Sequence, residues 1–374
     1  MAHNIYVNPH INIEKANTAG SALLTPEAAK HAWDTITSWP EYNRTPLVSR
    51  PDLADLTGVG EVLVKDESLR SQLRSFKSLG GAYAVQLAYQ RWQAKDDGSI
   101  FIPSCVTDGN HGLSVAWGAK NLGLECIVYV PAGVSQARAD AIAKQGARVE
   151  RFDMNYDEVT ELHAAEAAAN GWTVITDSAP RPETPLEPVI DVMNGYSVLA
   201  TELVEDFSSL HPTHVLLQGG CGGMAGAIMP AMLRATPDTK FIIVEPERAA
   251  CLQVSARAGE VTTVTGDLHT RMIGMSVGET SLPAWPIIKF GASGFIACGD
   301  DFVEQAMRML GRPQDNSIPV ESGETGCAGL VALLEVNGDD DAKTALGLDK
   351  SSRVVIINTE GATDADSYRA VMAG

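Results

Sequence analysis

Leu73-Arg74-Ser75-Phe76-Lys77-Ser78-Leu79-Gly80-Gly81-Ala82-Tyr83 follows the strand-like run Val62-Leu63-Val64 and the polar connection Lys65-Asp66-Glu67-Ser68. It opens a helical pattern carried by Leu79, Ala82, Tyr83, Val85 and Leu87. Ser75 reads as the N-cap of that helix, so Lys77 falls in the first turn, where unpaired backbone N–H groups disfavour an ammonium. The lysine gains nothing for helix stability. One reading is a solvated lysine whose flexible stem carries its charge out of the field. The other is an amine kept partly neutral by position and burial, able to condense with an aldehyde as a Schiff base.

Working outward from this stretch, strand and helix patterns alternate. Ile100-Phe101-Ile102 reads as a strand, and Thr107-Asp108-Gly109-Asn110-His111-Gly112 as a turn opening a helix through Leu113, Ala116, Ala119 and Leu122. Strands at 126–130, 147–149 and 172–175 are separated by helices at 135–145 and about 156–170, which indicates a small parallel α/β unit. Pro180, Pro182, Pro185 and Pro188 exclude a regular element from 180–188. A helix over about 193–210 then leads to a strand at 213–217, the loop Gln218-Gly219-Gly220-Cys221-Gly222-Gly223 and a helix from Met224. Phe241-Ile242-Ile243-Val244 suits a strand covered on both faces. Residues 262–295 read as an irregular wall or lid, and Arg353-Val354-Val355-Ile356-Ile357 as the last strand. Towards the N-terminus, 26–39 reads as a helix and 42–47 as an extended segment fixed by Pro46.

A chain of 374 residues, 45% hydrophobic and 20% charged, can bury a large globular core in one or two domains. Its formal net charge of -19 argues against nucleic acid or an anionic membrane as partner. Six scattered cysteines without a Cys-x-x-Cys pair suggest a reducing compartment rather than a disulfide framework, and no metal site is expected. With no signal-like or membrane-spanning run, the expectation is a soluble cytoplasmic protein.

Between a buried strand and a helix, the amides of Gly219 to Gly223 can converge on a phosphate. The same loop fits G-x-G-x-x-A as Gly220-Cys221-Gly222-Gly223-Met224-Ala225, with Glu245 at the distance of a ribose-binding acid, so an NAD-dependent oxidoreductase stays open. A purely structural tight turn also fits. Asp108 reads either as a helix cap or as a group that exchanges a proton with substrate, and Asn110 either as a turn residue or as a hydrogen-bond donor to a ring hydroxyl. His111 reads as a packed or capping histidine. Asp177 carries the same ambiguity as Asp108, and Thr359 can be a plain strand-end hydroxyl.

Taken in order, Ser75-Phe76-Lys77-Ser78-Leu79-Gly80-Gly81-Ala82-Tyr83, Thr107-Asp108-Gly109-Asn110-His111-Gly112 and the glycine loop resemble the fold type II pyridoxal-phosphate (PLP) enzymes, the tryptophan synthase β-like group. More narrowly, the chain resembles the diaminopropionate ammonia-lyase family. That likeness includes Met193-Asn194-Gly195-Tyr196, Ser322-Gly323-Glu324-Thr325-Gly326 and Thr359-Glu360-Gly361-Ala362-Thr363-Asp364. The resemblance implies an α/β fold of two domains with mostly parallel sheets: a large domain of 1–86 and 189–374, and a small one of 87–188. It also implies a homodimer.

By the same resemblance Lys77 carries PLP, with Phe76 beside it, Asn110 contacts the ring oxygen O3′ and Gly219, Gly220, Cys221, Gly222 and Gly223 hold the phosphate. Thr359 is the expected partner of the ring nitrogen, a neutral hydroxyl that does not force its protonation. The implied reaction is β-elimination from 2,3-diaminopropionate or a close 3-substituted alanine, giving a 2-oxo acid such as pyruvate plus ammonia. Lys77 and Asp108 are the expected bases for opposite substrate faces, Asp108 serving the D form, and Asp177 is expected to bind or protonate the departing β-amino group. A serine, threonine or 3-hydroxyaspartate dehydratase is the alternative within the class, and a non-catalytic binding protein a further one. Ser75, Arg74 and Arg181 are expected at the substrate pocket. Arg74 and the segment from Ser178 to Glu183 depart from the family pattern, so their guanidinium groups either select an extra anionic group or pair with Glu183 or another acid.

Overall fold

The computed structural model describes residues 4–96, 98–154 and 156–374. Eleven strands make two sheets among these residues: β1 (Ile5–Val7), β2 (Leu47–Ser49), β3 (Glu61–Asp66), β4 (Pro103–Val106), β5 (Ile127–Pro131), β6 (Arg148–Phe152), β7 (Thr173–Val174), β8 (His214–Gln218), β9 (Lys240–Pro246), β10 (Ala292–Cys298) and β11 (Arg353–Asn358). The larger sheet runs β1-β10-β9-β8-β11-β3-β2, and the smaller β6-β5-β4-β7. All pairs are parallel except the two edge strands, β1 on β10 and β2 on β3. Parallel sheets need cover on both faces. The central strands accordingly read as apolar runs, and Val62, Val64, Val215, Leu217, Ile243, Val244, Val355 and Ile357 are fully buried.

Several boundaries differ from the sequence expectation. The helix expected to start near Met193 spans Leu186–Leu210, seven residues earlier, and so takes in part of the proline-rich segment. Pro188 is tolerated there because the first turn of a helix needs no N–H donor. The strand expected at Ile100-Phe101-Ile102 lies at Pro103–Val106, its proline at the first position, where a missing donor costs least. Within 262–295, expected to be irregular, the chain forms the helix Trp285–Gly291 and enters β10 at Ala292. Ala292, Ser293 and Gly294 carry little β-propensity, and the strand is imposed by pairing with β9 on one side and β1 on the other.

Beneath the Lys77 stretch, helices cross at close range. A Cβ on Gly80 would lie 2.4 Å from the Tyr196 ring, and one on Gly195 would lie 2.3 Å from the Leu79 carbonyl oxygen. A side chain at either position would force the helices Lys77–Lys95 and Leu186–Leu210 apart. The Gly80-Gly81 pair therefore costs helix propensity but lets the lysine helix sit deep against its neighbour.

A buried charge cluster fastens the chain just before this stretch. Glu202, on the helix Leu186–Leu210, accepts from Arg70 Nη1 at 2.5 Å and pairs with Lys65 Nζ at 2.9 Å. Arg70 also pairs with Glu67 at 2.8 Å, and Thr45 and Tyr42 donate to Glu67 and Glu202 at 2.6 and 2.8 Å. Lys65, Glu67, Arg70 and Glu202 are all at most 1% exposed. Burial raises the Glu202 carboxyl, but Arg70 and Lys65 outweigh it and hold the group below its ordinary 4.5. Because the folded value is depressed, this contribution is complete above the unfolded carboxylate range and lost as pH falls through the folded value. Glu202→Gln leaves two buried cations short of charge and is expected to cost about 3–5 kcal/mol in urea unfolding near pH 7. The deficit should shrink as the comparison is repeated at successively lower pH below 4.5.

Candidate active site

The Lys77 helix follows β3 after a short polar connection, and its first residue is Lys77 itself. Phe76 occupies the cap position expected for Ser75, yet Ser75 Oγ still accepts from the Lys77 amide at 3.3 Å. The approach is fixed by main-chain bonds to the end of β11. Phe76 N–H donates to the Thr359 carbonyl at 3.1 Å, and Gly361 N–H to the Arg74 carbonyl at 2.9 Å. Between them Arg74 holds a left-handed backbone, φ 57°, a conformation costly for a residue with a Cβ. Arg74 is thus part of the turn that aims Lys77.

The Lys77 ammonium pairs with the Asp177 carboxylate, which comes from the loop after β7 in the other sheet. The rings of Phe76 and Tyr196 flank the amine, with Nζ 5.6 and 6.0 Å from their centroids. Burial pushes the Lys77 pKa down, but Asp177 more than offsets this and the group is held above its ordinary value. The expectation of an amine kept partly neutral by position and burial is therefore corrected. The helix field and desolvation are present, and one carboxylate in contact overrides both. For Asp177, burial acts to raise the pKa, and His111 with Lys77 reverse this and carry it well below the usual carboxylate range.

Two groups of the Thr107-to-Gly112 turn reach the same cleft. Burial raises Asp108 to about 6; Arg138 opposes this, Asp177 adds to it and Lys77 opposes it. Asn110, the first residue of the helix Asn110–Asn121, donates its side-chain amide to Glu360 Oε2. His111 is buried, with Nε2 2.9 Å from the Ile175 carbonyl and Nδ1 3.6 Å from Asp177 Oδ2. A carbonyl only accepts, so Nε2 is the donor in that bond and Nδ1 is the ring nitrogen that faces the carboxylate.

Between β8 and the helix Gly223–Ala235, Gly220 and Gly222 have φ of 55° and 96°. A Cβ on Gly219 would strike the Glu245 side chain at 2.6 Å, and one on Gly222 would strike Ile288 at 2.7 Å. Cys221 Sγ lies 3.8 Å from the Asp177 carbonyl, which brings the loop beside the lysine–carboxylate pair. This loop offers first-turn helix amides that have no intrahelical acceptor.

Glu245 is not available to a ribose. Its two oxygens accept from the Leu252 and Gln253 amides at 2.8 Å each, capping a helix from a fully buried position. The dinucleotide reading of the loop is overturned by that engagement. PLP suits the residues present. Thr359 Oγ1 is buried at the end of β11 without a hydrogen-bond partner among the described residues, as a group awaiting a ring nitrogen would be, and the glycine loop supplies donors for a phosphate.

Of the remaining expected residues, Arg74 and Arg181 each meet an acid. Arg74 pairs with Glu321, whose Oε1 also accepts from the Ala362 amide at 2.8 Å. Arg181, half exposed, lies 4.0 Å from Glu279, not against Glu183. Sequence reading passed over Glu360 and Tyr196. Both stand in stretches that carry the family resemblance, Thr359-Glu360-Gly361 and Asn194-Gly195-Tyr196, and that was the available signal.

Residues 39–360 match the family described as pyridoxal-phosphate dependent enzyme, which is the class that this fold and this lysine define. The chain is 38% identical to the diaminopropionate ammonia-lyase of Escherichia coli (strain K12) over 95% of its own length and 94% of the relative's. Its structure is similar to the holo crystal structure of the Escherichia coli diaminopropionate ammonia lyase, with TM-score 0.89 and 36% identity, covering 98% of this chain and 96% of that one. It is equally similar to the structure of that enzyme with an aminoacrylate-PLP azomethine reaction intermediate, with TM-score 0.88, 37% identity and the same coverage. The chain belongs to the diaminopropionate ammonia-lyase family of fold type II PLP-dependent enzymes.

Removing the Asp177 charge leaves burial as the dominant influence on Lys77. In Asp177→Asn the amine is expected to titrate below the ordinary 10.5 instead of above it. The rate of Lys77 acylation against pH, followed by mass spectrometry on protein freed of PLP, reads this directly.

Proposed function

We propose that the chain eliminates ammonia from 2,3-diaminopropionate, or a close 3-substituted alanine, releasing a 2-oxo acid such as pyruvate and ammonia. The observation that carries this reading is a lysine held against one strongly acidic carboxylate, Asp177, beside a second, Asp108, raised to about 6. When bound, PLP supplies the electron sink that makes the Cα–H of a 2-amino acid acidic. Lys77 would hold it through its amine, Asn110 at the ring oxygen, Thr359 at the ring nitrogen and Gly219 to Gly223 at the phosphate, with Phe76 alongside.

Asp177 already holds one ammonium, that of Lys77. With Lys77 otherwise engaged, the same carboxylate can bind the β-ammonium of a substrate and keep it charged, hence ready to leave. This fixed charge favours a cationic leaving group over the hydroxyl of a serine-type substrate. Asp108 is ionised above about pH 6 and can take the Cα proton of the D form, while the Lys77 amine serves the opposite face. The Asn110 amide and the Thr359 hydroxyl would orient the ring. Under this reading Arg74, Ser75 and Arg181 would contribute to the substrate pocket; both guanidinium groups already face acids, and Ser75 is buried.

The two sheets motivate a division into a large domain of 1–86 with 189–374 and a small one of 87–188, although the helix Lys77–Lys95 runs through the first boundary unbroken. The family resemblance supports a cytoplasmic homodimer, which light scattering would test. No helix among the described residues is long and apolar enough to cross a membrane.

Incubation with diaminopropionate should yield two ammonia per oxo acid, where a hydroxy amino acid yields one; a preference for serine or threonine would sink the ammonia-lyase reading. With the D substrate, kcat/KM should rise with pH up to about 6 and then level, since Asp108 works in its ionised form. Asp108→Asn should cut D turnover by about 100-fold or more and spare the L form. Equal loss with both enantiomers would refute the division of faces.

A further inference from the structure

The mechanism above gives the carboxylate of Glu360 no task. It is 3% exposed, and its contacts come from neutral groups. Oε2 accepts from the Asn110 side-chain amide and, at 3.4 Å, from Thr363 Oγ1; Oε1 accepts from the Thr325 amide at 3.2 Å. Among the described residues no ion pair reaches Glu360. A buried carboxylate without a cation is expensive, and glutamine would fill the same volume without the charge. What glutamine cannot supply is a group that only accepts.

That property matters for Asn110. Its side-chain amide presents two N–H bonds on the nitrogen and two lone pairs on the oxygen. Facing an acceptor-only carboxylate, it must turn its nitrogen towards Glu360, and one N–H is used there. The second N–H on the same nitrogen remains to donate elsewhere. A glutamine at 360 could donate as well as accept, and would allow the amide to turn over.

Position 360 is also pinned to the rest of the cleft. The bonds from Phe76 N–H to the Thr359 carbonyl and from Gly361 N–H to the Arg74 carbonyl bracket it, so its backbone moves with the lysine turn. Thr325 accepts from the Gly274 amide at 3.0 Å through Oγ1 and from Gln218 Nε2 at 3.3 Å through its carbonyl. Gln218 immediately precedes the glycine loop. One carboxylate therefore registers the Asn110 amide, from the helix beyond β4, against the lysine turn and the loop.

We propose, resting on the PLP reading above, that Glu360 is a positioning residue that fixes the Asn110 amide nitrogen-first, so that its second N–H is presented to the ring oxygen of PLP. Glu360→Gln, Asn110→Ala and the double variant test this. The readouts are PLP affinity by fluorescence titration, the visible absorption band of the bound cofactor with its pH midpoint, and thermal unfolding by circular dichroism.

Glu360→Gln should unfold at or above the wild-type temperature, because a buried charge is gone. It should nonetheless bind PLP about tenfold more weakly, the scale on which outer partners of a bound group act, and shift the pH midpoint of the band. Adding Glu360→Gln to Asn110→Ala should cost little more than Asn110→Ala alone. Wild-type affinity and spectrum in Glu360→Gln, or fully additive losses in the double variant, would overturn the proposal. Failure of the wild-type chain to take up PLP would overturn the reading beneath it and this inference together.

Discussion

The contact between Lys77 and Asp177 is the constraint around which the rest is arranged. Lys77 opens a helix that leaves the larger sheet, whereas Asp177 hangs from the end of β7 in the smaller. An ammonium at a helix start is unfavourable on two counts, the field of the first-turn amides and the loss of water. A carboxylate in direct contact reverses both, and it can do so only if the two sheets meet at this point. The charge cluster around Glu202 and the glycines at 80 and 195 work to that end. They hold the lysine turn at a fixed depth and angle, so that the partner arriving from the other sheet finds it.

A second consequence follows for the ends of strands. In parallel sheets the carboxyl ends of the strands gather on one side, and ligands bind there. Thr359 and Glu360 follow β11, the glycine loop follows β8, and Asp108 and Asp177 follow β4 and β7. The chemistry-bearing residues are thus distant in sequence and neighbours by topology. Each of these lies within a few residues of a strand, and Lys77 sits on the first turn of a long helix, so each side chain has a stiff support.

This arrangement also explains what could be read from the chain alone. Lys77, the Thr107-to-Gly112 turn and the glycine loop carry local signals, namely turn residues between apolar runs, and reading them needs no tertiary information. β10 was not legible because Ala292, Ser293 and Gly294 become a strand only by pairing on both sides. The partly neutral reading of Lys77 fails for a related reason. Local position correctly gave two influences that lower its pKa, but the third arrives from a residue one hundred positions away. Glu360 was passed over because a strand-end glutamate looks like surface, and only the folded chain shows it buried against Asn110.

The two aspartates complete the argument. Both are carboxylates in one cleft, yet their pKa values are driven apart: Asp177 far down, by His111 and Lys77, and Asp108 up to about 6, by burial and by the charge on Asp177 itself. The separation is mutual, since like charges close together cannot both ionise freely, and the carboxylate in contact with the Lys77 ammonium ionises first. A permanently charged group suits binding and holding an ammonium, whereas one that titrates near neutrality suits taking up and returning a proton. One ion pair therefore divides the labour between the carboxylates. It fixes Asp177 as an anion and, through that fixed charge, joins burial in raising Asp108 into the range that the proposed proton exchange with substrate requires.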